Sequence, residues 1–290
     1  MALFATHHQE MAEGTDVTVQ QLNLREKQRT ENFPVALRIL PRRFRGHLEA
    51  VYGFARTVDD LGDESHGDRL ANLDAFAIDL APIWAGGEPR TRVLSRLADT
   101  VRACHLPADP FFRLVEANRQ DQRVTAYATY ADLREYCTLS ADPVGRIVLD
   151  VFGVTTDERV VWSDAICTAL QLVEHWQDVA EDRRAGRVYL PAEDLTRFGV
   201  VPADLDQTRT PARVRELLAF ETDRAARLLR LGAPLVGDLR GWARLAVGGF
   251  LAGGLATVDA LRRADYDVLA VTPRPRKAGV LRHLAREVVR

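Results

Sequence analysis

The chain has 290 residues, enough for one large domain or two modest ones around a sizeable core. Hydrophobic residues make up 47% and charged residues 28%, with a formal net charge of −2. That is the balance of a soluble globular protein, and it offers nucleic acid no global attraction.

Residues 1–24 are polar and aperiodic and read as a flexible N-terminal arm. The first Lys or Arg is Arg25 and no long apolar run follows it, so no secretory leader is expected. Cys104, Cys137 and Cys167 are odd in number, widely spaced and free of C-x-x-C, which argues against a disulfide framework or a zinc site and fits a reducing cytoplasm.

From Asn32 onward apolar residues recur at spacings of three and four, as in Leu48, Val51, Ala55 and Val58. Strand-like alternation is scarce. Breaks fall at Gly86–Pro89, Leu106–Pro110, Gly186, Pro202 and Pro211. The expectation is an all-α, single-domain bundle over residues 25–272, with about eight to ten helices.

The first chemical signal is Tyr52…Arg56…Asp59-Asp60-Leu61-Gly62-Asp63, read as the end of a helix. Tyr52, Arg56, Asp59 and Asp63 fall on one stripe beside the apolar one. Like charges about 5 Å apart repel by roughly 3 kcal/mol at an effective dielectric near 20. A bland alternative is a solvated face on which Arg56 pairs with Asp60.

Between residues 171 and 189 the pattern returns more strongly. Gln171, Glu174, Asp178 and Asp182 are expected on a single stripe, three of them carboxylates with no interleaved lysine. Hard oxygen donors suit Mg²⁺, which shares its coordination sphere with water and substrate phosphates. Arg183, Arg184, Arg187 and Tyr189 follow and could clamp a diphosphate by charge-assisted hydrogen bonds. Here the bland alternative is an exposed, mixed-charge helix end. His175, with no ligand spacing around it, reads as a packing or hydrogen-bonding residue.

The uncharged stretch from Leu245 to Val258 is too short to span a bilayer and is interrupted by glycines, of which Gly249 and Gly253 form a G-x-x-x-G expected to pack against another helix. No G-x-G-x-x-G follows a strand, so no dinucleotide fold is expected. Residues 273–290 form a tail with six Lys and Arg against one acid, Glu287, a composition suited to weak association with a membrane surface.

These motifs together resemble the squalene/phytoene synthase family, from about Asn32 to Asp267. The matching segments are Tyr52…Ala55-Arg56…Asp59-Asp60…Asp63, Tyr136-Cys137…Ala141…Val144-Gly145, and Gln171…Asp178…Asp182…Gly186-Arg187-Val188-Tyr189-Leu190-Pro191. Asn32-Phe33-Pro34, Arg119-Gln120-Asp121-Gln122 and Trp176-Gln177-Asp178 further resemble the bacterial hopanoid-associated hydroxysqualene synthase branch.

The resemblance implies a cavity-containing isoprenoid synthase fold. It also implies a Mg²⁺-dependent conversion of presqualene diphosphate and water to hydroxysqualene and diphosphate. Asp59, Asp63, Asp178 and Asp182 would be catalytic metal ligands, with Glu174 a further ligand. Tyr52, Arg56, Tyr136, Gly145, Gln171, Arg187 and Tyr189 would contact substrate. Expected partners are a prenyl diphosphate and neighbouring squalene-pathway enzymes, with no nucleic acid.

Sister activities are presqualene diphosphate, squalene and phytoene synthases. A non-catalytic assembly factor of the same fold is the alternative from another class. The resemblance departs at two positions, Glu174, where the family usually carries Asn, and Asp142, where the related branch tends to read Asn-Pro-Val-Gly.

Overall fold

Polar caps and prolines begin the helices where the sequence breaks its apolar period. The structure, a computed structural model, describes residues 40–289. The arm over residues 1–24 and the Asn32-Phe33-Pro34 motif lie outside the described residues. Helix α1 (Arg42–Asp63) leads to α2 (Arg69–Leu80), whose N-cap Asp68 accepts from the Ala71 N–H at 3.1 Å. Then come α3 (Arg92–Cys104), α4 (Asp109–Asp121), α5 (Tyr130–Ser140) and α6 (Asp142–Val151). A capping box of Thr129 and Asp132 opens α5.

Thr156 caps α7 (Asp157–Gln177), followed by the short α8 (Val179–Arg184) and α9 (Ala192–Arg197). The chain ends in α10 (Ala212–Gly232), α11 (Pro234–Asp238), α12 (Gly241–Arg263) and α13 (Lys277–Val289). The described residues thus hold thirteen α-helices rather than eight to ten, because α8, α9 and α11 are too short to show a period. They contain no strand, only one isolated bridge between Ala126 and Val188.

Two apolar centres organise these helices. The first is built from α1 to α4 around Phe54, Leu73, Leu94 and Phe111, all fully buried. The second gathers α5, α7, α10 and α12 around Leu133, Trp176, Leu217 and Leu251. Each such side chain contributes about 1.5–3 kcal/mol of transfer free energy. Helix α6 joins them, with Ile147 and Val148 in the first centre and Leu149 in the second. The first acidic motif therefore rides on one centre and the second on the other.

The run Leu245–Val258 sits inside a 23-residue helix, so α12 is long and apolar enough by length to cross a bilayer. Leu251, Ala252 and Ala256 are nonetheless buried against protein, which makes it a core helix of the bundle. The close approaches on α12 fall one residue outside the expected glycine pair. A Cβ on Gly254 would lie 2.8 Å from Leu170 Cδ2, and one on Gly248 3.0 Å from Val288 Cγ2, whereas one on Gly253 would meet nothing within 4 Å. Two neighbours on different sides set that register, α7 with α10 at one glycine and α13 at the other. The basic segment after Pro273 includes α13, which lies antiparallel along α12, with Gly279 near Ala256 and Leu284 near Gly248.

Candidate active site

Helix α1 delivers Asp59 and Asp63 at its C-terminal end, where no basic residue occupies the last turn. Unsatisfied carbonyls give that end a partial negative charge, which adds to the repulsion between the two carboxylates. Asp59 accepts from the Asn118 Nδ2 of α4 at 3.2 Å. Burial pushes its carboxyl up to about 6; the Asn118 bond and Arg56 pull back, while Asp63 and Asp60 push further. The side chain still meets solvent, so the crowding is that of a cleft floor open on one side. Arg56 pairs with Asp60 at 2.8 Å and lies 3.4 Å from Glu64, as the bland reading anticipated for Asp60.

The second motif departs from a straight stripe. Helix α7 stops at Gln177, and Asp178 (φ −104°, ψ 16°) turns the chain into α8, which carries Asp182 in its first turn. The Asp178 carbonyl accepts from both the Glu181 N–H (2.9 Å) and the Asp182 N–H (2.8 Å), a tightened turn that interrupts the helix. Burial raises the Asp178 carboxyl above the usual carboxylate range; Asp182 and Glu181 add to the rise, and Arg274 and His175 oppose it.

Arg187 brings the two motifs together. Its Nη2 lies 2.8 Å from Asp63 Oδ1, while its own backbone N–H donates to the Asp182 carbonyl at 2.8 Å. Side chains 124 positions apart in sequence are thereby joined. The segment carrying Arg187 is fastened to the loop after α4 by Val188 N–H to Thr125 C=O (2.8 Å) and Ala192 N–H to Tyr127 C=O (2.9 Å).

Behind Arg187 stands an aromatic and acidic relay. The Tyr189 ring stacks on His175 at 3.6 Å between centroids, and Gln171 Nε2 lies 3.1 Å from His175 Nε2. His175 Nδ1 is 3.8 Å from Asp182 Oδ2. The hydroxyls of Tyr136 (2.7 Å) and Tyr189 (3.5 Å) both donate to Asp121. Burial pushes Asp121 up to about 6, with the Tyr136 bond and Arg187 opposing. His175 is the packing and hydrogen-bonding residue expected from sequence. Asn118 and Asp121 were not expected here; with Gln122 they occupy positions i, i+3 and i+4 of one helix face, the available sequence signal.

A cavity of about 240 Å³ opens between α5, α6, α7, α11 and α12. Val144, Val148, Ile166, Leu170, Val247 and Phe250 form most of its wall, with Gln171 and Glu174 of α7 also lining it. Glu174 and Gln171 therefore join the cavity to the acidic turn at Asp178. Gly145 lies in that wall as a packing residue: a Cβ there would overlap the Ser163 hydroxyl and come within 2.6 Å of Cys167 Sγ. Tyr52 is half-buried on α1, two turns before Asp59.

At the other wall of α6, Asp142 is 1% exposed, ion-paired with Arg134 at 2.9 Å and hydrogen-bonded by the Thr168 hydroxyl at 2.8 Å. All three cysteines are free thiols, and burial pushes Cys137 and Cys167 up to about 12.

Among the described residues no three Asp, Glu, His or Cys side chains gather as a closed metal site. Asp63 is half-exposed at the end of α1, 2.8 Å from an arginine, and Asp182 stands in the first turn of α8. Oxygen donors presented so sparsely fit Mg²⁺, which keeps waters and takes phosphate oxygens to complete its octahedron, and would not suit a cage-bound ion.

A bundle of this topology with paired acidic helix ends beside an apolar cavity defines an isoprenoid-synthase type of enzyme. The family model for squalene/phytoene synthase matches residues 27–281, and the chain belongs to that family. Among curated relatives it is 34% identical to a hydroxysqualene synthase of Rhodopseudomonas palustris over 215 residues, 73% of this chain and 72% of the relative. It is 33% identical to a phytoene synthase of Mycobacterium tuberculosis over 214 residues, covering 72% and 70%. Among solved structures, squalene synthase HpnC from Alicyclobacillus acidocaldarius superposes with a TM-score of 0.78 at 44% identity, covering 83% of this chain and 91% of that one. The resemblance read from the motifs is thus upheld at the level of family and fold.

Proposed function

We propose that this enzyme is a hydroxysqualene synthase, converting presqualene diphosphate and water to hydroxysqualene and diphosphate. The observation that supports the reading is the Arg187–Asp63 pair, which ties the end of the first acidic motif to the segment that follows the second, while Glu174 of the second motif lines the apolar cavity. The hydroxysqualene synthase relative supports the choice within the family.

In this reading Asp59, Asp63, Asp178 and Asp182, with Glu174 at the cavity edge, are the residues that would hold Mg²⁺. Bound Mg²⁺ supplies Lewis-acid stabilisation of charge on the leaving group. Arg56, Arg187 and the Tyr189 hydroxyl bind phosphate oxygens, with Gln171 orienting the ring stack behind them through His175. The carbon–oxygen bond breaks with its electron pair going to diphosphate. The cyclopropylcarbinyl cation rearranges within the cavity, screened by the wall around Gly145, while Tyr52 and Tyr136, which do not line that cavity, would act from the side of the acidic motifs. Water adds through its oxygen lone pair, and its proton leaves with the diphosphate.

The experiment is incubation of purified protein and Mg²⁺ with presqualene diphosphate and, separately, with farnesyl diphosphate. Release of hydroxysqualene from the first is the expected result. Turnover of farnesyl diphosphate to presqualene diphosphate, with no reaction of presqualene diphosphate itself, would overturn the choice in favour of a sister synthase. Failure of Mg²⁺ with diphosphate to shift the melting temperature would favour a non-catalytic assembly factor.

The same reading places the protein in the cytoplasm and at the membrane surface during turnover, since substrate and product are lipids. The outer face of α13 exposes Leu281 and Val289 between Lys277, Arg282 and Arg286. Co-sedimentation with anionic but not with neutral vesicles tests that contact.

A further inference from the structure

The ends of α1 and α4 approach more closely than two side-chain-bearing helices could, and a glycine permits it. Gly62 is buried in the last turn of α1, close to Asp59, and its φ is not positive, so no left-handed turn requires it. A Cβ there would overlap the Asn118 amide oxygen and lie 3.2 Å from Asn118 Cγ. Alanine favours a helix over glycine, so what Gly62 supplies is the space that Asn118 fills.

Two amides, one on α4 and one at its C-cap, use that approach. Gln122 Nε2 donates to the Gly62 C=O at 3.0 Å and to the Asn118 C=O at 3.0 Å. It thereby satisfies a carbonyl that a helix end leaves without an intrahelical partner, which is reason enough for Gln122. Asn118 reaches past the backbone to a carboxylate. Its Nδ2 donates to Asp59 Oδ1 at 3.2 Å and to the Leu114 C=O at 3.3 Å. Both neighbours only accept, so the amide presents its NH₂ here and both protons are engaged. The nitrogen is anchored to its own helix and grips Asp59 by one oxygen. Asp59 Oδ2 has no hydrogen bond among the described residues.

We propose that Asn118 is a positioning residue for Asp59: by holding Oδ1 it fixes the plane of the carboxylate and leaves Oδ2 to the cation, with Gly62 as the clearance that lets the amide reach. This rests on the reading of Asp59 as a Mg²⁺ ligand, and not on which reaction of the family follows. A carboxylate at a helix end otherwise turns about its side-chain torsions, and freezing it on binding costs affinity. A hydrogen bond already in place removes that cost before the ion arrives. Asn118 itself touches neither metal nor substrate.

The test titrates Mn²⁺, an oxygen-seeking stand-in for Mg²⁺, into wild type and variants without substrate, and reads the free ion by electron paramagnetic resonance. Melting temperatures are read alongside, as is the Mg²⁺ dependence of diphosphate release from whichever prenyl diphosphate the wild type turns over. Asn118→Ala is expected to weaken Mn²⁺ binding and raise the half-saturating Mg²⁺ by about 10- to 100-fold, with turnover at saturating Mg²⁺ close to wild type. Gln122→Leu unties the same two helices without touching Asp59, so it should lower the melting temperature and leave Mn²⁺ affinity at the wild-type value. Gly62→Ala should weaken Mn²⁺ binding as Asn118→Ala does, and the double variant should bind no more weakly than either, since both act through one bond. Unchanged Mn²⁺ affinity in a folded Asn118→Ala protein overturns the role of Asn118 and leaves Asp59 as a ligand. Equal weakening by Gln122→Leu marks both amides as a helix tie and overturns it as well. Should Asp59→Asn bind Mn²⁺ as the wild type does, or the wild type not bind it, the ligand assignment falls first and the positioning role with it. Should Asn118→Ala not fold, Asn118→Leu, which keeps the volume, decides by the same isotherm.

Discussion

Asp142 is a carboxylate in the interior of the bundle, and its surroundings let the consequence be worked out. The side chain is 1% exposed. Burial pushes its carboxyl from the ordinary 3.8 up to about 6; Asp164 adds to the rise, and Arg134 and Thr168 oppose it. The folded protein therefore binds this proton more tightly than the unfolded chain does. Below about pH 3 the group is neutral in both states and costs almost nothing. As pH climbs through 6 the folded state must carry a charge it disfavours, and the full cost of about 3 kcal/mol is present at pH 8. Roughly half has already developed by pH 5.

Asp142→Asn abolishes that titration. The amide oxygen can still accept from the Thr168 hydroxyl, and Arg134, 33% exposed at its side chain, can turn toward water. Urea unfolding of both proteins, followed by tryptophan fluorescence between pH 5 and pH 8, reads the difference directly. The stability of Asp142→Asn relative to wild type should rise by about 1.5 kcal/mol across that interval. A difference that stays flat with pH would show that Asp142 is charged at ordinary cost, and would refute the reasoning.

Other perturbations separate packing from chemistry. Gly145→Ala drives a methyl into Ser163 and Cys167 and should cost about 1–3 kcal/mol, lowering the melting temperature by about 2–5 °C. Ser163→Ala in the same chain should restore part of that loss in a double-mutant melt. Asp59→Asn and Asp178→Asn should each lower turnover at fixed Mg²⁺ by at least about 100-fold. Because both carboxyls are already raised by burial, the melts of these two variants at pH 8 should be unchanged or higher. Lost activity with a lower melt would instead mark the aspartates as structural.

The stripe Leu48, Val51 and Val58 was readable because a long helix repeats its buried side many times. Both acidic motifs were readable because they place several carboxylates at helical spacing within one short window. The break at Asp178 was not, since a helical period persists through a single tightened turn whose cause is a backbone carbonyl shared by two donors. Asp121 and Asn118 escaped for a different reason. Their importance lies in what approaches them, Tyr136, Tyr189 and Asp59, and single-residue polarity on an exposed-looking face does not announce distant partners. The same holds on α12, where the neighbours that crowd Gly248 and Gly254 come from α7, α10 and α13 and leave Gly253 uncrowded.

The segment that carries Arg187 is stitched down on both sides of that residue by main-chain bonds, while its guanidinium rests on a half-exposed carboxylate. An arriving anion thus meets a cation already aimed at the cleft and kept from collapsing elsewhere. In the proposed reading, exchanging Asp63 for a phosphate oxygen asks for rotation about side-chain torsions with no loop to open, so capture and release of diphosphate would draw on the same small movement.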